Sequence, residues 1–201
     1  MKNPSNNLIT FSATGILLIS VIFQACLTTN KIVEENDLVY STKRVALKSS
    51  YYEHTRRSPL ISLEQSIVKE IKANNETSYK VYDILSLTSS SFTLENKAFM
   101  IIDNDVFPMP IDNKEYENAK TITENRQNVL TADSTTVSVV TGYSENDRKI
   151  TRFSYMLSDE VIARVKNSNQ VLFRYYSGPS MLTVRLKEKN LKKLKGLIDR
   201  T

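Results

Sequence analysis

The chain has 201 residues, in which 27 Lys and Arg face 22 Asp and Glu, for a formal net charge of +5. This small positive excess does not predict a nucleic-acid partner. A single cysteine excludes a disulfide within the chain, and one cysteine with one histidine leave too few ligands for the usual zinc sites. Four glycines are too few and too scattered for a phosphate-cradling loop or a dinucleotide fingerprint, so we predict no cofactor.

The N-terminus holds the only long apolar run of the chain. A short polar start with one cation, Lys2, precedes an uncharged stretch from residue 8 to residue 25, which is the order of a secretory signal peptide. Threonine, serine and glutamine side chains dilute this stretch, so it is a poor match to a permanent span, which needs about 20 predominantly apolar residues. A retained apolar anchor is the alternative.

The stretch "FQAC", residues 23 to 26, ends the apolar run and resembles the lipobox of bacterial lipoprotein signals. Ala25 fits the lipobox, whereas the two residues before it depart from the strict pattern. The resemblance implies that residues 1 to 25 are a cleaved signal peptide and that the thiol of Cys26 carries lipid. Several acyl chains on one residue would hold the protein firmly at a membrane of the bacterial cell envelope.

The residues after the cysteine extend this interpretation. Leu27, in place of an acidic residue, favours the outer membrane over the inner one by the same resemblance. A catalytic Cys26 would instead need a base beside it. The sole histidine, His54, lies beyond a polar segment and among charged neighbours, which favours a solvated surface position. We predict a lipidated tether at residues 26 to 46 and one domain at residues 47 to 201.

Residues 58 to 75 predict an amphipathic helix, with Ser58 as N-cap and Pro59 in the first helical position. The apolar residues at helical spacing are Leu60, Leu63, Ile67 and Ile71. Two placements are open, a membrane surface or the face of a sheet. Because the apolar face lacks the aromatic and basic residues typical of interfacial helices, we expect it to pack on a sheet.

Segments rich in β-branched and aromatic residues predict strands at residues 79 to 87, 97 to 103 and 106 to 112. Asp103, Asn104 and Asp105 lie between the last two and are consistent with either a paired-carboxylate cation site or a hairpin turn. Because no further acidic residue is spaced to complete a calcium loop, we predict the turn and no metal site. Residues 112 to 128 are almost wholly polar and predict an exposed insertion.

The last third of the chain has the clearest pattern. Residues 134 to 143 and 150 to 157 predict a hairpin with "SENDRK" as its connection, and residues 169 to 176 and 181 to 187 predict another around "SGPS". Helices are predicted after the N-cap Ser158 and over the last residues of the chain. The apolar residues of the last helix are Leu191, Leu194, Leu197 and Ile198. This order predicts a single α+β domain, with an antiparallel sheet of hairpins and helices packed on one face.

A basic cluster near the C-terminus has two interpretations. It could contact an anionic surface, as juxtamembrane polybasic segments do, or it could be the solvated face of a helix whose lysine stems cover apolar surface. The residues proposed for anionic contacts are Lys189, Lys192, Lys193 and Lys195. Aromatic side chains do not alternate with these cations as they do on nucleic-acid platforms, which favours the solvated face.

The sequence contains no recognisable catalytic arrangement, and we predict no catalytic residues. Ser177 and Ser180 lack the flanking glycines of a nucleophile elbow. The leading hypothesis is an exported, lipid-anchored envelope protein with a structural or interaction role, whose partners are the membrane and another envelope protein. One alternative is an envelope hydrolase that uses paired carboxylates. Another is a protein with an uncleaved anchor that offers a sheet edge to a second chain.

Overall fold

The computed structural model describes residues 30 to 52 and 58 to 200. Strands account for 66% of these residues and helices for 13%. In chain order, the elements are β1 (Ile32–Asp37), β2 (Thr42–Tyr52), β3 (Leu60–Lys72), β4 (Thr77–Thr88), β5 (Lys97–Ile102), β6 (Asp105–Pro110), β7 (Asp112–Leu130), β8 (Thr136–Leu157), α1 (Asp159–Asn167), β9 (Val171–Ser177), β10 (Ser180–Arg185) and α2 (Glu188–Asp199). The predicted α+β class, with helices packed on one face of a sheet, is wrong, because the fold is mostly β and has two sheets.

Both sheets are antiparallel and share one core. The large sheet has the order β1-β2-β3-β4-β8-β7 and curls, and the small sheet has the order β10-β9-β5-β6. Phe153 of the large sheet packs edge to face on Tyr175 of the small sheet, with ring centroids 5.8 Å apart. Leu194 and Leu197 of α2 are buried in the same continuous apolar cluster. The burial of this cluster is the main force that holds the two sheets together.

Residues 58 to 75, predicted to be a helix, contain the strand β3. Leu63 and Ile67 are four residues apart, a spacing that fits one face of a helix and also one side of a strand. Gln65 and Lys69 take the other inward positions and are buried. Gln65 bonds a buried carboxylate of β4, and Lys69 donates to a backbone carbonyl at the end of α2 at 2.8 Å. These polar side chains on the core side concealed the alternation of the strand.

The predicted insertion and the predicted "SENDRK" connection are both strands. Residues 112 to 128 are exposed, but they lie in the regular strand β7. Residues 134 to 143 and 150 to 157 do not form a hairpin with each other, because "SENDRK" lies inside the continuous strand β8. β7 and β8 pair with each other along most of their length. Polar residues are compatible with β7 and with the first half of β8 because water, and no core, faces these segments.

Much of the predicted tether belongs to the large sheet. β1 and the start of β2 fall within residues 26 to 46 and pair in antiparallel register, for example Val33 with Ala46. β1 is an edge strand in which half of the side chains are exposed, and Ile32 packs against the core. Cys26, and the rest of the chain before residue 30, lie outside the described residues.

Local signals predicted the two C-terminal helices and two turns correctly. The Oγ of Ser158 accepts a hydrogen bond from the backbone N–H of Val161 at 3.3 Å, where α1 begins. Asp103 has a φ of 53° in the β5–β6 turn, and its carboxylate accepts from the N–H groups of Asn169 and Gln170 at 3.0 Å. The predicted turn is therefore confirmed. The four apolar residues predicted to face inward from the last helix are all buried, namely Leu191, Leu194, Leu197 and Ile198.

Gly178 in the β9–β10 turn illustrates how specific such a turn is. It has a φ of +56°, and a Cβ at this position would lie 2.6 Å from the ring of Phe92. We expect Gly178→Ala to lower the free energy of unfolding, measured by urea denaturation, by about 1 to 2 kcal/mol. Gly142→Ala is the matched control, because its Cβ would meet only the Asn125 side chain at 4.0 Å. Equal losses in the two variants would contradict this account.

Candidate interaction site

The outer part of the β7–β8 ribbon is an arm that pairs only with itself among the described residues. β4 pairs with β8 from Arg148 to Leu157, so residues 120 to 147 are left without a neighbour in the sheet other than each other. We call residues 120 to 147 the arm. At about 3.4 Å per residue, its β7 half is roughly 37 Å long. A two-stranded ribbon of this kind is marginally stable by itself in water.

The turn at the end of the arm is held by its own hydrogen bonds. The N–H of Thr131 donates to the carbonyl oxygen of Thr135 at 2.8 Å. The Oγ of Thr135 donates to the carboxylate of Asp133 at 2.8 Å, and the Oγ of Thr131 donates to it as well. These donors lower the pKa of Asp133 to about 2. The end of the arm is therefore ordered locally and negatively charged.

Large apolar side chains are exposed along the whole arm. Val129 faces Val137 across the ribbon, and Val139 follows on the same side, because paired residues share a face and successive pairs alternate. These three side chains are 40 to 44% exposed. Clusters of this kind on a soluble surface mark contact sites for other molecules. The exposed large apolar residues of the arm are Ile122, Val129, Leu130, Val137, Val139, Val140 and Tyr143.

The arm also presents unpaired backbone. β7 is an edge strand of the large sheet over its 19 residues, and the arm half of β8 has no described strand on its other side. Such edges offer rows of N–H and C=O groups to an incoming strand. Ion pairs lie along the ribbon, including Lys120 with Glu145 at 2.9 Å and Arg126 with Glu124 at 2.7 Å. Charges on an edge limit unselective strand pairing, so the arm has features of a selective contact site.

The sequence concealed this site for a physical reason. A strand is recognised by apolar residues on alternate positions, which arise when one face is buried. Both faces of the arm meet water, so polar and apolar residues occur on each side. The signal that was present is the run of β-branched residues in "TTVSVV", residues 135 to 140, which we assigned to a strand of the wrong hairpin.

The core contains a buried hydrogen-bond network around Asp83. The side chain of Asp83 is buried, and its carboxylate accepts from the Nε2 of Gln65 at 3.0 Å and from the hydroxyls of Tyr155 and Tyr175 at 3.0 and 2.7 Å. Burial raises the pKa of Asp83 to about 6, although the three hydrogen bonds act in the opposite direction. Burial also raises the pKa values of both tyrosines. This network joins the two sheets through polar contacts.

The Asp83 network does not resemble the acid pair that a carboxylate hydrolase needs. Its hydrogen-bond partners are an amide and two phenols, and Asp83 is only 1% exposed, so water and substrate do not reach it. Across residues 30 to 52 and 58 to 200, no group of three or more His, Cys, Asp or Glu side chains could hold a metal ion. The Asp83 network therefore gives the hydrolase hypothesis no support.

The residues singled out from the sequence have different positions. Cys26 and His54 lie outside the described residues. Lys193 and Lys195 donate to the backbone carbonyls of Asn30 and Ser168 and so attach α2 to its neighbours. Lys189 and Lys192 are exposed. In the "SGPS" turn, the Ser177 Oγ donates to the carbonyl oxygen of Phe92 at 2.7 Å.

Comparison of the chain with protein-family models, with curated proteins and with solved structures finds no match. Within the described part of the chain, neither helix has the length and apolar character needed to cross a membrane.

Proposed function

We propose that this protein is a lipid-anchored interaction protein of the bacterial cell envelope, in which the arm binds a partner polypeptide. The observation that carries the proposal is the arm itself. Its strands pair only with each other, and it nevertheless exposes seven large apolar side chains. No part of the described chain covers these apolar side chains. A partner that covers them would stabilise both the ribbon and the complex.

The partner that fits this surface is another polypeptide in extended conformation. A strand added along β7 would satisfy the open backbone groups, and main-chain hydrogen bonds of this kind supply affinity. Val129 would lie beside the added strand, and Val137 and Val139 would lie one strand further in on the same face, so this face would favour large apolar residues at alternate positions of the partner. The arm would act as a docking strand pair and would need no catalytic residue.

The lipid anchor is supported by the sequence resemblance of "FQAC" to a lipobox and remains a proposal. Under this proposal, Cys26 holds the protein at a membrane, with the outer membrane preferred. The described chain begins at residue 30 and enters the sheet at β1, whereas β7 forms the opposite edge of the same sheet. The anchor and the arm would therefore lie at opposite edges, which leaves the arm accessible to a second envelope protein.

The binding role of the arm is tested by crosslinking in the native host. A photoreactive residue replaces Leu130 in the arm, and a control protein carries it at Met181, which is 56% exposed in the small sheet. We expect one discrete adduct from the arm position alone. A second protein adds Val129→Thr, Val137→Thr and Val139→Thr, which keep the β-branched shape and remove apolar surface. We expect this change to reduce the adduct at least tenfold, because about 0.8 kcal/mol is associated with each buried methyl-sized group.

The matched control for these changes is Val106→Thr, at a valine that is 58% exposed outside the arm. It should leave the adduct unchanged. Adducts that are equally strong from Leu130 and Met181, or that do not respond to the three arm substitutions, would contradict an arm-specific partner. The anchor is tested separately by the intact mass of protein recovered from host membranes. An acylated chain that begins at Cys26 supports the anchor, and an unmodified chain that begins at Met1 contradicts it.

A further inference from the structure

Exposed cations without a partner gather where β10 leads into α2. Arg185, Lys187, Lys189 and Lys192 are all exposed, and none of them pairs with a described carboxylate. We call these four residues the basic end of α2. The acidic residue among them is Glu188. Three of the four line an open cleft of about 900 Å³ together with Lys195.

At the other end of α2, the cations have partners within the fold, so the two ends of the helix differ. Lys166 pairs with Asp199 at 3.0 Å, and Arg200 pairs with Glu34. Lys69 donates to the carbonyl oxygen of Ile198 at 2.8 Å. Cations at that end therefore bind groups of the fold itself, whereas those of the basic end are available to an external anion.

The path of the chain brings its N-terminal side close to the basic end. Along β1, Asn30 is bound by Lys193, Ile32 lies beside Gly196, and Glu34 pairs with Arg200. β1 and α2 therefore run in the same direction, and Asn30 lies beside the N-terminal half of α2.

The distance from the lipid anchor is short. Cys26 is four residues before Asn30, and four residues span at most about 14 Å. Along the helix, Lys189 is only about 6 Å from Lys193, at 1.5 Å per residue. An anchor at Cys26 thus has no long tether, because residues 32 to 46 are committed to strands. The membrane surface would lie within reach of the basic end.

We infer that the basic end of α2 docks on anionic phospholipid headgroups when Cys26 is anchored, an inference that rests on the proposed lipid anchor. Each cation close to an anionic membrane surface adds about fivefold to the partition coefficient, and the four together add on the order of several hundredfold if they act independently. The lipid already holds the protein at the surface, so docking occurs at high effective concentration. Docking turns the β1 edge of the large sheet toward the membrane and the arm, at the β7 edge, toward other proteins.

The test is lysine acetylation of the full chain recovered from host membranes and reconstituted in vesicles, with each site quantified by mass spectrometry. One vesicle type is phosphatidylcholine alone and the other is phosphatidylcholine mixed with phosphatidylglycerol. We expect acetylation of Lys187, Lys189 and Lys192 to be at least about fivefold slower on the anionic vesicles. Lys97 in β5 and Lys120 in β7 are exposed and belong to neither α2 nor its flanking segments, and they should react equally on both. Salt at about 1 M, where the Debye length is about 3 Å, should abolish the protection.

Two matched variants keep the result specific. Arg185→Gln with Lys187→Gln should reduce the protection of Lys189 and Lys192 on anionic vesicles, whereas Lys97→Gln with Lys120→Gln lowers the net charge equally and should leave it unchanged. Equal acetylation on both vesicle types, for a chain whose mass shows acylated Cys26, would overturn docking and leave the anchor standing. An unmodified Met1 in the same mass measurement would overturn the anchor and docking with it. The two failures are therefore distinguishable.

Discussion

Replacement of Asp83 with alanine is expected to lower the free energy of unfolding by about 3 to 5 kcal/mol. Three buried donors, from Gln65, Tyr155 and Tyr175, lose their acceptor at once. Each buried donor without a partner costs about 1 to 3 kcal/mol, and partial rearrangement keeps the total below the sum. The network crosses from the large sheet to the small sheet, so its loss weakens the contact between them.

Urea denaturation followed by circular dichroism measures this loss. Tyr175→Phe removes one donor and leaves Asp83 with two, so we expect a smaller loss of about 1 to 2 kcal/mol. Asp147→Ala in the exposed arm is the control for removal of a carboxylate, and it should change the free energy of unfolding by less than about 0.5 kcal/mol. If Asp83→Ala is as stable as the Asp147→Ala variant, the network does not stabilise the fold.

The stability of the protein is also expected to fall as the pH rises through the titration range of Asp83. The pKa of this carboxyl is about 6 in the folded chain and 3.8 without the fold. Between these values the unfolded chain binds fewer protons than the folded chain, so the free energy of unfolding decreases with increasing pH. The contribution is complete below about pH 4 and lost above about pH 6, and it amounts to on the order of 3 kcal/mol.

Asp83→Asn provides the comparison for this pH dependence, because the amide does not ionise and has nearly the same shape. Urea denaturation at a series of pH values between about 4 and about 7 gives one slope for each protein. We expect the decrease to be smaller in Asp83→Asn by on the order of 3 kcal/mol across this interval. Identical slopes in the two proteins would show that Asp83 ionises in the folded chain as it does in the unfolded one.

The two C-terminal helices and the turns at Asp103 and Gly178 were predictable because their causes are local. Asp103 in the β5–β6 turn and Gly178 in the β9–β10 turn adopt positive φ values that few other residues tolerate. Ser158 lies three residues before the N–H that it caps, and the apolar residues of α2 repeat within one helix. Neighbours in sequence carry all of this information, so the sequence alone contains it.

The lipobox-like "FQAC" is also local, and the proposed lipid anchor rests on it without any information from the fold. Its structural consequence was not predictable. Residues 32 to 46 of the predicted tether belong to β1, the β1–β2 turn and the start of β2, because β1 pairs with β2 and Ile32 packs against the core. Only this pairing brings Asn30 beside Lys193, 163 residues later in the chain, and so relates the anchor to the basic end of α2.

Tertiary structure alone decided the features that depend on distant partners. β3 was predicted to be a helix because Gln65 and Lys69 occupy core positions, and their partners are 18 and 129 residues away. The acceptor role of Asp83 depends on tyrosines 72 and 92 residues later. The arm is a strand pair because the backbone groups of β7 and β8 hydrogen-bond to each other, and this pairing does not require a buried face. The sequence by itself determined the turns at Asp103 and Gly178, the two C-terminal helices and the signal-like pattern of the N-terminus, whereas strand pairing and the burial of polar groups were decided by contacts between residues far apart in the chain.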